Sequence, residues 1–298
     1  MDVNIINEKI DEYFTKIIEE KNPLDYFSKF IAPEIAGCET VKKAILLMLV
    51  SRDFIPKMRN RIHIGLVGKP GTGKTVLMDY LEREHNAIYL TQDTTISALK
   101  GDARKKDYGV QIFKEADGGI VCFDEIELME DRETLRDVME KGEVVYSKGG
   151  SIEKYPAKVR VVIGSNSFKR LSPALLDRLD FVFEFKEPSV EEAKEIARKI
   201  VELYSGEEYY REKKILDEYL IWVREYTPRI ADKDGISQIF NEFFDYKGEG
   251  KSGRWISKVL RIAYAYANLY RRDVMPEDIK VAIKLINGNG KVNNANSY

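Results

Sequence analysis

The sequence predicts an α/β fold, a doubly wound and mostly parallel five-stranded sheet joined to a small α-helical lid domain. Three observations carry this. Short β-rich runs at residues 62–67, 87–90, 120–123, 159–164 and 181–185 alternate with helical or loop segments, the pattern of crossover-connected parallel strands. The first run feeds directly into the glycine-rich stretch 68–75. After Pro188 the strands stop and the remaining periodicity is helical.

The helical part opens at Ser189, Val190, Glu191 and Glu192, a capping box, with Ala193, Ile196, Ala197, Ile200 and Val201 on one face of the helix that follows. Further helical segments are expected around 215–224, 235–244, 254–270 and 276–286, the last starting on Pro276. The expected organisation is a helical lead-in over 1–30, an α/β nucleotide-binding domain over 31–187 with an inserted β-hairpin at 143–156, an α-helical lid domain over 188–287, and a polar, disordered tail over 288–298.

Composition excludes several classes. Lys and Arg total 48 against 50 Asp and Glu, a net charge of -2, so no global basic field points to nucleic acid and any such contact must be local. Cys38 and Cys122 lie far apart with no paired spacing, which suggests neither a disulfide framework nor a zinc site and fits a reducing cytoplasm. The first residues lack a signal-peptide pattern and the longest apolar stretch, 44–50, is too short to span a bilayer, so the expected location is cytoplasmic with no membrane partner.

The run Gly68, Lys69, Pro70, Gly71, Thr72, Gly73, Lys74, Thr75 has the spacing of a Walker A phosphate-binding loop, in the strand-to-helix context that motif requires. Its glycines let backbone N–H groups converge on phosphate oxygens, Lys74 adds a point charge, and the Thr75 hydroxyl suits Mg²⁺. ATP and Mg²⁺ are therefore the expected substrate and cofactor. The run 120–123 ends on Asp124 and Glu125. Carboxylates at the carboxyl end of a sheet strand suit metal holding, for Asp124, and polarisation of an attacking water, for Glu125.

Beyond these motifs the chain resembles the AAA+ motor of the MCM replicative helicases over residues 30–287. The resemblance is carried by Ile31 to Gly37 with Val41 to Ala44, by Ile62 to Gly68, by Gly118 to Ile120 leading into Asp124, Glu125, Ile126 and Met129, and by Ser172 to Asp180. It implies Asn166 as the first sensor, Arg178 as an arginine finger reaching a neighbouring subunit's nucleotide, and Arg254 as the second-sensor arginine. It also implies that Ala36, Pro70 and Val76 join the phosphate loop in contacting nucleotide. Residues 144–152 read as a hairpin with a Lys-Gly-Gly tip, and the resemblance implies that Lys148 contacts DNA phosphates inside a hexameric, homo-oligomeric ring. Arg104, Lys105 and Lys106 fall in a second insertion, with two readings: a surface facing the same channel, or a merely solvated loop.

The departures are specific. Gly73 and Thr75 stand where the family usually has Ala and Ser, Lys141 and Gly142 where a glutamine pair is usual, and Trp255 in place of a usual Gln. The segments flanking the motor are too short for the family's N-terminal domain or its winged helix, so a motor without either is expected. The expected activity is ATP hydrolysis driving translocation on DNA. The alternatives are a remodelling ATPase related to the magnesium-chelatase and MoxR groups, which share the hairpin, and a regulatory MCM-like subunit that does not unwind.

Overall fold

The computed structural model describes residues 3–35, 37–55, 58–101, 111–128, 133–148, 151–167, 169, 171–203, 207–247 and 250–288. In chain order the helices are α1 (Val3–Glu20), α2 (Pro23–Phe27), α3 (Glu39–Val50), α4 (Lys74–His85), α5 (Ile96–Lys100), α6 (Ile112–Glu115), α7 (Glu133–Lys141) and α8 (Pro173–Leu176). They continue with α9 (Val190–Leu203), α10 (Glu207–Arg224), α11 (Lys233–Lys247), α12 (Gly253–Leu269) and α13 (Pro276–Asn287). The strands are β1 (Ile64–Gly68), β2 (Ile88–Leu90), β3 (Ile120–Phe123), β4 (Glu143–Lys148), β5 (Ser151–Pro156), β6 (Arg160–Ser165) and β7 (Phe181–Phe185).

The chain divides into two compact units, one of residues 52–189 and one that joins residues up to 51 to the helices from Val190 onward. The α/β unit holds a five-stranded sheet in the order β2-β3-β6-β1-β7, every pairing parallel. Strands β1, β3 and β6 are buried at every position, because helices cover both faces of a parallel sheet and leave no solvent side. Edge strand β7 instead alternates, with Phe181, Phe183 and Phe185 inward. Close approach of β1 and β7 requires glycine at Gly68, where a Cβ would collide with the Phe185 carbonyl oxygen. β4 and β5 form a separate antiparallel hairpin, Glu143 opposite Pro156 and Lys148 opposite Ser151. The strand begins at Ile64 rather than Ile62, because His63 is tied through its own backbone to Asp180.

In the helical unit, residues 31–51, which the sequence places with the α/β domain, cluster with the lead-in and the later helices. Helix α3 explains this, since Val41, Ala44 and every residue from Ile45 to Val50 are buried and so need apolar partners all round. α2 starts where the Asn22 side chain accepts hydrogen bonds from the Leu24 and Asp25 amides, with Pro23 in its first turn. Phe27 stacks on Tyr219 at 3.5 Å between centroids, and Phe14 packs on both Tyr219 and Trp222. α13 starts on Pro276, with Asp278 accepting from the Met275 amide and from both Nη atoms of Arg272 at 2.7 Å.

Candidate nucleotide-binding site

The phosphate loop bridges β1 and α4. Gly71 and Gly73 have φ of +80° and +97°, and a Cβ on either would meet none of the described residues within 4 Å. Glycine is needed there for backbone conformation, which an L side chain rarely adopts. Thr72 Oγ1 donates to the Lys69 carbonyl at 2.8 Å and tightens the turn. Gly73 is the N-cap of helix α4 and supplies no side-chain cap to its first amides, leaving the donors and the positive dipole end that bind anions. Lys74 Nζ donates to the carbonyls of Gly68 and Lys69. Burial lowers the Lys74 pKa, opposed by the carboxylates of Asp124, Glu127 and Glu125.

β3 delivers the carboxylates. It lies one strand removed from β1 across β6, so Asp124 at its end faces the start of α4. The Thr75 hydroxyl donates to Asp124 Oδ2 at 3.2 Å. A hydroxyl and a carboxylate at this separation form an oxygen donor set suited to a hard divalent cation. Gly164, on β6, makes room for this, since a Cβ there would fall 2.8 Å from Asp124 Oδ1. Glu125 follows in the left-handed region at φ +49°, its amide donating to Asp124 Oδ1 at 3.0 Å. An L-residue held there costs about 1 kcal/mol or more and is enriched at functional sites. That turn aims the Glu125 carboxylate at Asn166, whose Nδ2 donates to Oε1 at 3.1 Å.

Thus Gly68, Gly71, Thr72, Gly73, Lys74, Thr75, Asp124, Glu125 and Asn166 all belong to the α/β unit and gather at the carboxyl end of its sheet. Pro70 and Val76 are exposed beside the loop. Arg178 sits just past α8, where Nη1 donates to the Ala174 carbonyl at 2.6 Å and Nε lies 3.6 Å from Glu140 Oε2. Its neighbour Asp180 pairs with Arg59 instead. Arg254 is an exposed residue in the first turn of α12, in the helical unit. Ala36, Met129 and the cluster Arg104, Lys105 and Lys106 lie outside the described residues, as does the side chain of Lys148.

Two residues at this site are not singled out by sequence. Tyr89 of β2 donates to Asp124 Oδ2 at 2.6 Å; only the register, Tyr89 beside Cys122 and the Asp124 amide on the Leu90 carbonyl, brings them together. Glu127 Oε1 accepts from the Asn166 amide at 2.9 Å. Its proximity to the Asp124–Glu125 pair in sequence was the available signal.

A parallel sheet in this order, with a phosphate loop after β1 and an acidic strand end on β3, defines a P-loop NTPase of the AAA+ class. A family model described as MCM P-loop domain matches residues 10–204, and the chain belongs to the MCM family. It is 28% identical to an uncharacterised MCM-type protein of Methanocaldococcus jannaschii, over 94% of this chain and 44% of that protein. It is 29% identical to the minichromosome maintenance protein MCM of Saccharolobus solfataricus, over 96% and 47%. Against the DNA replication licensing factor MCM3 of Entamoeba histolytica the identity is 30%, over 80% and 44%. The chain thus spans less than half the length of these relatives. Among the described residues no helix is long and apolar enough to cross a membrane.

Proposed function

We propose that this protein hydrolyses ATP at a site shared between adjacent subunits of a ring and uses the cycle to move along DNA. The observation that carries the reading is the Asn166 to Glu125 hydrogen bond beside the Thr75 to Asp124 contact: one pair of groups suited to orient water, next to another suited to hold a metal. In this reading the amides of Gly71 to Thr75 and the Lys74 ammonium bind the β- and γ-phosphates. Thr75 and Asp124 would hold Mg²⁺, which when bound neutralises charge on those phosphates. Glu125 accepts a proton from the attacking water as Asn166 Nδ2 holds its carboxylate in place. Arg178 acts on a neighbouring subunit's nucleotide, Arg254 contributes from the helical unit as a second sensor, and Ala36, Pro70 and Val76 line the nucleotide. The β4–β5 hairpin carries Lys148 to DNA phosphates. Membership of a family whose relatives are named as replication factors supports DNA as the track.

Steady-state turnover tests this. Lys74→Ala and Glu125→Gln should each lower ATP hydrolysis by about 100-fold or more, and full turnover in both variants sinks the proposal. DNA should stimulate the wild type, and Lys148→Ala should reduce DNA affinity and flatten its log-salt slope by about one charge. A protein that hydrolyses ATP with no response to DNA is a remodelling ATPase instead.

A further inference from the structure

Arg59, Arg61 and His63 stand at alternate positions in the segment before β1. All three reach a single backbone oxygen, that of Met139, at 3.5, 3.5 and 3.1 Å. This carbonyl lies in the last turn of α7, where no intrahelical donor remains for it. From that shared anchor the side chains diverge. Arg61 goes on to the carbonyls of Ala157 and Val159, both at 3.3 Å, where the hairpin returns to the sheet.

Arg59 goes to the segment carrying Arg178. Its Nη1 donates to the Arg178 carbonyl at 3.0 Å, and its Nη2 to Asp180 Oδ1 and Oδ2 at 3.1 and 3.3 Å. Asp180 is held from its other side, with Oδ2 accepting from the His63 amide at 2.9 Å and its own amide donating to the His63 carbonyl at 2.9 Å. The Arg59 and Asp180 side chains are 5% and 0% exposed, so losing either removes a close opposite charge from a buried group. The Arg178 side chain is fastened differently. Among the described residues, the neutral carbonyl of Ala174 and the carboxylate of Glu140 at 3.6 Å hold it, and that glutamate side chain is 43% exposed. The backbone at Arg178 is clamped by a charged fork, whereas its side chain, 15% exposed, is held by a neutral carbonyl and a longer ion pair.

We propose that Arg59 is a positioning residue for Arg178: its guanidinium, forked between the Arg178 carbonyl and the Asp180 carboxylate, fixes the point from which the Arg178 side chain reaches the neighbouring subunit's nucleotide. This rests on the reading of Arg178 as acting across the subunit boundary. A planar fork is required because one compact ammonium cannot serve both acceptors in that geometry, and a reacting group displaced by about 1 Å costs about 100-fold in rate.

The test mixes subunits of the full chain. Arg59→Lys alone, and Asp180→Asn alone, should lower ATP turnover by about 10-fold or more, keep affinity for a fluorescent ATP analogue within about twofold, and retain cooperative thermal unfolding. Mixed with Lys74→Ala subunits, which have an intact finger but no phosphate site, each should regain turnover, because its own phosphate site then meets an undamaged Arg178. Arg178→Ala mixed with Lys74→Ala runs alongside. Recovery there without recovery for Arg59→Lys and Asp180→Asn overturns the positioning role alone. No recovery for Arg178→Ala overturns the trans reading of Arg178 and with it this inference. Full turnover of Arg59→Lys by itself, or failure of both Arg59→Lys and Asp180→Asn to fold, assigns the pair to structure only.

Discussion

Tyr89 and Thr75 donate to the same oxygen, Asp124 Oδ2, at 2.6 and 3.2 Å from two different elements of the α/β unit. The phenol stays protonated, since burial and the Asp124 carboxylate both raise its pKa. It is therefore a permanent donor that fixes the orientation of the carboxylate proposed to hold Mg²⁺.

Replacing Tyr89 by Phe keeps the ring and removes only the donor. Loss of such an outer partner typically weakens a metal site by about 10-fold or more. The Mg²⁺ concentration that half-saturates binding of a fluorescent ATP analogue should rise by about that factor, with little change in unfolding temperature. An unchanged Mg²⁺ titration would falsify the role.

Gly164→Ala puts a methyl group 2.8 Å from Asp124 Oδ1 and 2.9 Å from Met78 Cε. The Met78 side chain can yield, whereas the carboxylate is held by Tyr89 and by the Glu125 amide. Overpacking of this kind costs about 1–3 kcal/mol. Denaturant unfolding should show that loss, and nucleotide turnover should fall further than stability alone explains. Wild-type turnover at the reduced stability would mean that Asp124 tolerates displacement.

Glu127 bears on Asn166 through the backbone, accepting from its amide at 2.9 Å, while Glu125 holds the Asn166 side chain. Glu127→Ala frees that amide, and hydrogen bonds to charged groups are worth about 1.5–3 kcal/mol. Turnover should drop with KM for ATP nearly constant, because the loop carrying Asn166 shifts while the phosphate loop does not. A rise in KM with kcat unchanged points to nucleotide binding instead.

His63 predicts an acid limb of stability. The Val161 amide donates to Nδ1 at 3.0 Å, so the ring proton sits on Nε2, facing the Met139 carbonyl at 3.1 Å. Burial, and then the nearby Arg59 charge, hold its pKa well below 6.5. The folded chain keeps this ring neutral while the unfolded chain takes up a proton below about pH 6.5. The contribution is thus complete above that pH and is lost as pH falls, by up to about 1.4 kcal/mol per pH unit. His63→Gln should flatten the difference in stability between pH 7 and pH 5; equal slopes for both proteins rule the histidine out.

Much of the candidate site was legible because its chemistry is local in sequence. Gly68 to Thr75 and the adjacent Asp124 and Glu125 are short words whose residue types follow from phosphate and metal chemistry. The alternation of β-rich and helical runs likewise determined a parallel sheet, since parallel strands need crossovers between them. Tertiary structure decided what those words touch. Asp124 meets Tyr89, Glu125 meets Asn166, and Asp180 meets Arg59 across gaps of 35, 41 and 121 residues. No periodicity encodes such pairs. They arise from strand order and register, which place β2 beside β3 and β3 beside β6, and from the left-handed turn at Glu125 that aims one carboxylate at a particular amide. The grouping of α3 with the helical unit has the same origin, because a helix buried all round takes its place from the surfaces that cover it rather than from its position along the chain.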